Sequence, residues 1–167
     1  IGVNQGFMPI AGYNYGAKKL QRVREAINIS ITYSGILALI IFTLIMLFAE
    51  SFVGVFISDK ALEANSIRDN VALLERTPNA LRWVFAATPV IVIQLIGGSY
   101  FQSIGKIIPA LLLNLTKQGF FLIPLILILP TYYGVWGVWV SFPIADVLST
   151  IVTGYFLNRA VKKDLTE

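Results

Sequence analysis

Four apolar runs dominate the chain, at about 27–49, 83–104, 107–129 and 135–156. Each is close to the ~20 residues that a helix needs to cross a hydrocarbon core ~30 Å thick. None shows the period-2 alternation of a barrel strand. Lipid offers no partners to backbone amides, so unbroken apolar runs of this length fold as helices. The pattern therefore predicts an all-α, polytopic transmembrane helix bundle with four complete spans. The opening stretch, residues 1–16, is apolar but too short to span, and is expected to be the end of a truncated helix. It begins at Ile1 and shows no basic region ahead of an apolar core, so no signal peptide is expected there.

One region breaks the apolar pattern. Asp59–Arg82 is rich in charge, with apolar residues at helical spacing (Leu62, Ile67, Val71, Leu74) and Pro78 placed to break the helix. It reads as an amphipathic helix on the outer membrane surface. A substrate gate is the sharper alternative.

Composition narrows the class. The chain is 56% hydrophobic and 13% charged, with a mean hydropathy of +0.74; an average soluble domain carries about 25% charged residues. It contains no cysteine and no histidine. That removes disulfides, thiolate nucleophiles, Cys/His zinc sites and histidine bases, so an enzyme is not expected. The net charge of +4 does not signal nucleic acid, because the spans place the chain in a bilayer.

Charge position sets the expected topology. Lys18, Lys19, Arg22 and Arg24 precede the first complete span, Lys106 sits between the second and third, and Arg159, Lys162 and Lys163 follow the fourth. If the spans alternate, these places share one side, which the positive-inside rule makes cytoplasmic, together with the C-terminus. The other side receives the uncharged Thr131–Gly134 turn. It also receives the long Glu50–Arg82 connection, which carries four basic and five acidic residues. Trp83, Trp136, Trp139, Tyr132 and Tyr133 fall near the outer span ends, as interfacial aromatics do. Gly16 is expected to terminate the opening helix.

Breakers and polar residues inside the spans point to function. Pro89, Pro124 and Pro143 interrupt three spans, Pro109 falls in a first turn, and Gly97-Gly98 is a weak point in the second span. Helices that bend suit a transporter that opens alternately on two sides. Two charged residues lie within spans, Lys117 and Asp146. A charge in hydrocarbon is costly, so both should face protein or water. At about 1.5 Å per residue, Lys117 is ~15 Å in from one face and Asp146 ~16 Å in from the other. Both reach the midplane of neighbouring antiparallel helices, where they can meet. Asn114, Lys117 and Gln118 share one helix face; Asp146, Ser149, Thr150 and Thr153 form a stripe on the last span, and Gln94, Gly98 and Gln102 on the second. Three stripes suggest a shared polar cavity. Its candidate residues are Asp146, Lys117, Gln118, Asn114, Gln94 and Gln102, joined by Asn4 and Gln5 from the opening stretch. A mid-membrane carboxylate also offers a site where a proton and a cationic substrate compete.

Three motifs carry a family resemblance. GVNQGFMPIAGYNYGAKKLQRVREAI, with the Gly12–Ala17 signature, resembles the end of the eighth helix of multidrug and toxic compound extrusion (MATE) transporters. Phe101–Pro130 looks like the tenth-to-eleventh helix region of the same bacterial branch, and Gly134–Ser149 like its twelfth helix. The resemblance implies a C-terminal lobe fragment, residues 1–167, of a twelve-helix transporter, with the N-terminal lobe of the same polypeptide as its partner. It also implies an antiporter in the bacterial inner membrane that exports cationic or amphipathic compounds in exchange for protons or sodium ions. No cofactor beyond the coupling ion is expected; membrane lipids and a small cationic substrate are the other partners. A lipid-linked oligosaccharide or lipid flippase of the same superfamily is the alternative reading. About ten residues near 61–70 exceed the family pattern between Phe56–Asp59 and Leu81-Arg82.

Overall fold

The computed structural model describes the backbone of residues 2–56 and 67–164, and side chains within 2–55 and 75–163. The described chain is helical, with no strand. Its elements are α1 (Gly2–Gly16), α2 (Leu20–Phe56), α3 (Ile67–Val84), α4 (Thr88–Ser103), α5 (Ile107–Leu115), a π-helical segment (Thr116–Leu122), α6 (Ile123–Tyr133) and α7 (Val135–Asp164).

Three helical stretches are long and apolar enough to cross a membrane: 20–55, 107–133 and 135–163. They contain the first, third and fourth runs of the sequence. The second run is not one continuous helix. It breaks at 85–87, where the helix ending at Val84 and the one starting at Thr88 are bent by 42°; counting that pair as one span brings the total to four. The break has a local cause. Pro89 has no N–H and sits in the first turn of α4, where none is needed. Pro78, in contrast, lies inside α3 and does not end it. The helix runs on from Ile67 to Val84, and the next one starts at Thr88. Of the amphipathic positions, Leu62 and the side chains of Ile67, Val71 and Leu74 lie outside the described residues, as do residues 61–66 of the segment near 61–70.

The α1–α2 turn corrects a smaller expectation. Gly16 is the last residue of α1, and the left-handed residue is Lys18, at φ 54°. This conformation lets the Lys19 amide reach back to the Asn14 carbonyl at 2.9 Å. The terminator is thus a lysine two residues on, in a conformation that side chains other than glycine seldom adopt.

α2 runs without interruption through the first span but is kinked at Phe48 (φ −114°). Arg82 meets it there. Its Nε donates to the Met46 carbonyl at 3.3 Å, and its Nη2 lies 3.5 Å from Glu50 Oε1. A side chain that takes a carbonyl from the helical ladder is a recognised cause of such a kink.

The basic places gather at one end of the bundle. Gly12 lies against the Ser103 carbonyl, which sets the end of α1 beside the end of α4. Leu157 packs on Gly97, so the last turns of α7 lie at the same end. The main apolar cluster concentrates here, with Phe7, Val23, Ile96, Tyr100, Leu113 and Leu157 among its members. At the opposite end, Trp83 of α3 meets Trp136 of α7 edge to face with centroids 6.3 Å apart. Burial is uneven: of the most apolar 18 residues of α7 33% are buried, but only 6% of those in the 107–133 stretch. α4 is the central element, with Val92, Gln94 and the whole run Ile96–Phe101 buried; α7 packs along it, and the α5–α6 stretch turns most of its surface outward, as a lipid-facing helix does.

Candidate functional site

The site is built where α4, the π segment and α7 meet. Lys117 is the second residue of the π segment, and its Nζ lies 2.7 Å from Asp146 Oδ1. The two depths inferred from the sequence thus meet in one ion pair. That distance is the charge-assisted range for an ammonium on a carboxylate. The ammonium is the partner of Oδ1, an atom otherwise buried without a hydrogen bond. The pair is asymmetric: the Asp146 side chain is 8% exposed and that of Lys117 24%. The lysine is the more exposed partner.

The stripe on α7 faces α4. Ser141, Asp146, Ser149, Thr150 and Thr153 are all buried. Ser149 Oγ lies 3.0 Å from both Gln94 Oε1 and the Asp146 carbonyl, so its one proton serves either acceptor. Thr150 Oγ1 donates to the Val90 carbonyl at 3.3 Å. Ser141 turns back to its own Gly137 carbonyl at 2.6 Å. The Oγ1 atom of Thr153 is buried without a partner among the described residues.

Glycines make this approach possible. A Cβ on Gly97 would stand 2.5 Å from Thr153 Cγ2, and one on Gly98 would stand 2.7 Å from Asn114 Oδ1. The pair that the sequence marked as a weak point is where α4 admits α7 on one side and α5 on the other. Two adjacent glycines facing polar stripes on neighbouring spans are the signal that could have shown this, since small residues let membrane helices come close.

The π segment was not legible in the sequence. Within Thr116–Leu122 the helix widens, and the Ile123 amide bonds the Gln118 carbonyl five residues back. Pro124 follows directly and has no N–H to offer the previous turn. Single-turn π insertions of this kind cluster at functional sites.

The remaining candidates are distributed. Gln94 is buried beside Ser149, and Asn114 is exposed, although its side chain lies against Gly98. Gln102, Gln118 and Gln5 are exposed and are not brought to the ion pair. Asn4 lines a separate cavity of about 240 Å³ between α1, α2 and α4, with Ser34 and Thr88 among apolar neighbours. The Oδ1 atom of Asn4 is buried without a partner among the described residues. The three stripes therefore meet pairwise: α4 with α7, α4 with α5, and the π segment with α7. No group of acidic side chains able to hold a metal ion occurs among the described residues.

The MatE family model matches residues 1–128. A solved structure described as protein A is similar at 42% identity with a TM-score of 0.74, over 92% of this chain and 32% of that one. The chain thus spans about a third of that structure's length. No curated protein matches. Asp146 lies beyond the family match, but the structural likeness takes in most of the chain. With its multi-pass helices and a family match over more than half its length, the chain belongs to the MatE family of membrane transporters.

Proposed function

We propose that this chain is the C-terminal lobe of a secondary antiporter that exports cationic or amphipathic compounds in exchange for protons or sodium ions, with Asp146 as the coupling carboxylate. The observation that carries the reading is the Lys117–Asp146 pair, 2.7 Å long and at mid-span. A buried carboxylate held by a single ammonium can exchange that partner for a proton or for a substrate cation. Protonation neutralises the carboxylate that α7 carries through lipid, whereas a substrate cation keeps it ionised and paired, so the two occupants bias differently which side the site faces. Gln94 and Ser149 hold the backbone beside the carboxylate. The π segment and the break at 85–87 supply places where the helices can change course.

The N-terminal lobe of the same polypeptide completes the cavity, and the protein sits in the bacterial inner membrane. The basic end, with Lys18, Lys106 and the C-terminus, faces the cytoplasm.

The test is efflux of a fluorescent lipophilic cation from pump-deficient cells expressing the full-length parent, with and without Asp146→Asn. The expected result is efflux by the parent that collapses in the variant at equal membrane expression. Efflux that survives with unchanged pH dependence sinks the role of Asp146. Absence of efflux by the parent across several cations favours the flippase reading, although the single Lys117 is a thin complement for lipid phosphates.

A further inference from the structure

The same pair specifies more than a coupling role. We propose that Lys117 is a tethered occupant of a cation seat at Asp146, and that the cargo of this seat is an ammonium ion bearing at least one N–H on a slim aliphatic stem. This rests on the antiporter reading and deepens it by naming the substrate class.

The seat is already filled by a template of its ligand. Lys117 presents an alkylammonium on a four-carbon stem, and its Nζ stands 2.7 Å from Oδ1. Only a nitrogen with a hydrogen to donate makes a contact that short. A quaternary ammonium places methyl groups where the N–H must be and cannot reproduce it. The carboxylate side chain is 8% exposed, so the entrant must be narrow at its charged end. The seat holds one cation, since a second beside the first would be unpaired in a buried place.

Cargo therefore enters only when the lysine leaves, and the π segment gives it a way out. Lys117 is the second residue of that segment, and the Ile123 amide bonds five residues back. Resetting one π turn to α geometry changes the register by one residue, about 100° of rotation for the side chains on one flank. Of the groups that must turn with it, Phe120 (63% exposed) and Ile123 (57%) face outward, while Phe121 and Leu122 are half-buried and Thr116 is buried. The outward pair slides against lipid, and only the half-buried side must repack against its neighbours. The ion pair is thus the one contact in this segment that the rotation breaks among the described polar groups, apart from the hydroxyl of Thr116 on its own Leu112 carbonyl. An incoming N–H cation replaces the lysine at the carboxylate, with no bond made or broken and charge conserved.

An occupied seat lowers apparent affinity by the fraction of molecules in which it is free. Removing the tether removes that penalty. The test uses the purified full-length parent in nanodiscs and two probes that differ by one N–H, dimethyloctylammonium and trimethyloctylammonium. In Lys117→Gln, dimethyloctylammonium is expected to bind about tenfold tighter than in the parent, while trimethyloctylammonium changes less than about twofold. Adding Asp146→Asn should abolish the gain. A second measurement needs no variant: acylation of Lys117 by a water-soluble active ester, read by mass spectrometry, should speed up with saturating dimethyloctylammonium and not with its trimethyl analogue. Unchanged or weaker binding in Lys117→Gln with unchanged Lys117 reactivity overturns the proposal and leaves Lys117 a structural clamp. That failure is separable from failure of the antiporter reading, in which the parent itself exports none of the cations tried.

Discussion

On α2, the Thr43 hydroxyl donates to its own Leu39 carbonyl at 2.8 Å and is exposed. On α7, the Ser149 hydroxyl reaches Gln94 and the Thr150 hydroxyl reaches Val90, both on α4, and both residues are buried. Both helices are long enough to span a membrane, α2 being the longer and the more apolar, yet Thr43 is satisfied within α2 whereas Ser149 and Thr150 of α7 reach a neighbour. The glycines repeat the contrast: a Cβ on Gly35 or Gly54 of α2 meets nothing within 4 Å, whereas one on Gly97, facing α7, meets Thr153 at 2.5 Å. A polar residue in a span is therefore not in itself a site. It becomes one where another helix comes close enough to be its partner and lipid is excluded.

The comparison can be broken most forcefully at the ion pair. Asp146→Ala leaves Lys117 without its partner and should cost ~3–5 kcal/mol, seen as a large fall in the unfolding midpoint of the full-length protein in micelles. Lys117→Ala should cost a similar amount, and the double replacement clearly less than the sum; strict additivity would show that the two charges do not interact. Next come the glycines, where the sign itself differs between helices. Gly97→Ala should destabilise by about 1–3 kcal/mol through overpacking against Thr153. Gly35→Ala should be neutral or stabilising by up to about 1 kcal/mol, because a helix gains from losing a glycine where there is room. The same melting assay reads both, and equal effects would erase the distinction between a close approach and an open face.

A finer contrast is Ser149→Ala against Thr43→Ala. The first removes an interhelical bond worth about 0.6 and at most about 1.7 kcal/mol; the second removes a bond within one turn and should stay within about 0.5 kcal/mol. Double-mutant coupling between Ser149 and Gln94, absent for Thr43 and any α4 residue, sharpens the point. The smallest effect belongs to the Arg82–Glu50 pair, whose side chains are 34% and 79% exposed. Glu50→Gln should shift stability by less than about 1 kcal/mol, and added salt should shrink the difference. A larger loss would mean that Arg82 depends on Glu50 to hold the α2 kink.

Much of the site was legible before any coordinates. Lys117 and Asp146 stood out because an ionisable residue in a span is expensive. Their meeting followed from equal depths on antiparallel neighbours, and the structure joins them at 2.7 Å. What stripe spacing alone could not do was assign partners. Gln94 and Gln102 share one helical face, yet one is buried against Ser149 and the other is exposed. Face-sharing is a property of one helix, and burial depends on which helix lies opposite. Gln118 and Lys117 separate for a related reason, because the π turn between Thr116 and Leu122 disturbs the period on which face-sharing rests.

By itself, the sequence determined the solvent, the helical class, the gathering of basic loops at one end and the identity of the two buried charges. All of these follow from transfer free energies and from depth along a helix of fixed rise, which need no knowledge of neighbours. Only the tertiary structure decided that the second run is a bent pair with its break ahead of Pro89, that α3 passes through Pro78, and that Gly97 and Gly98 are contact points. It alone revealed the π segment that carries Lys117. A proline or a glycine permits several local geometries of similar energy. The neighbour that packs against it chooses among them, and that neighbour lies far away in the chain.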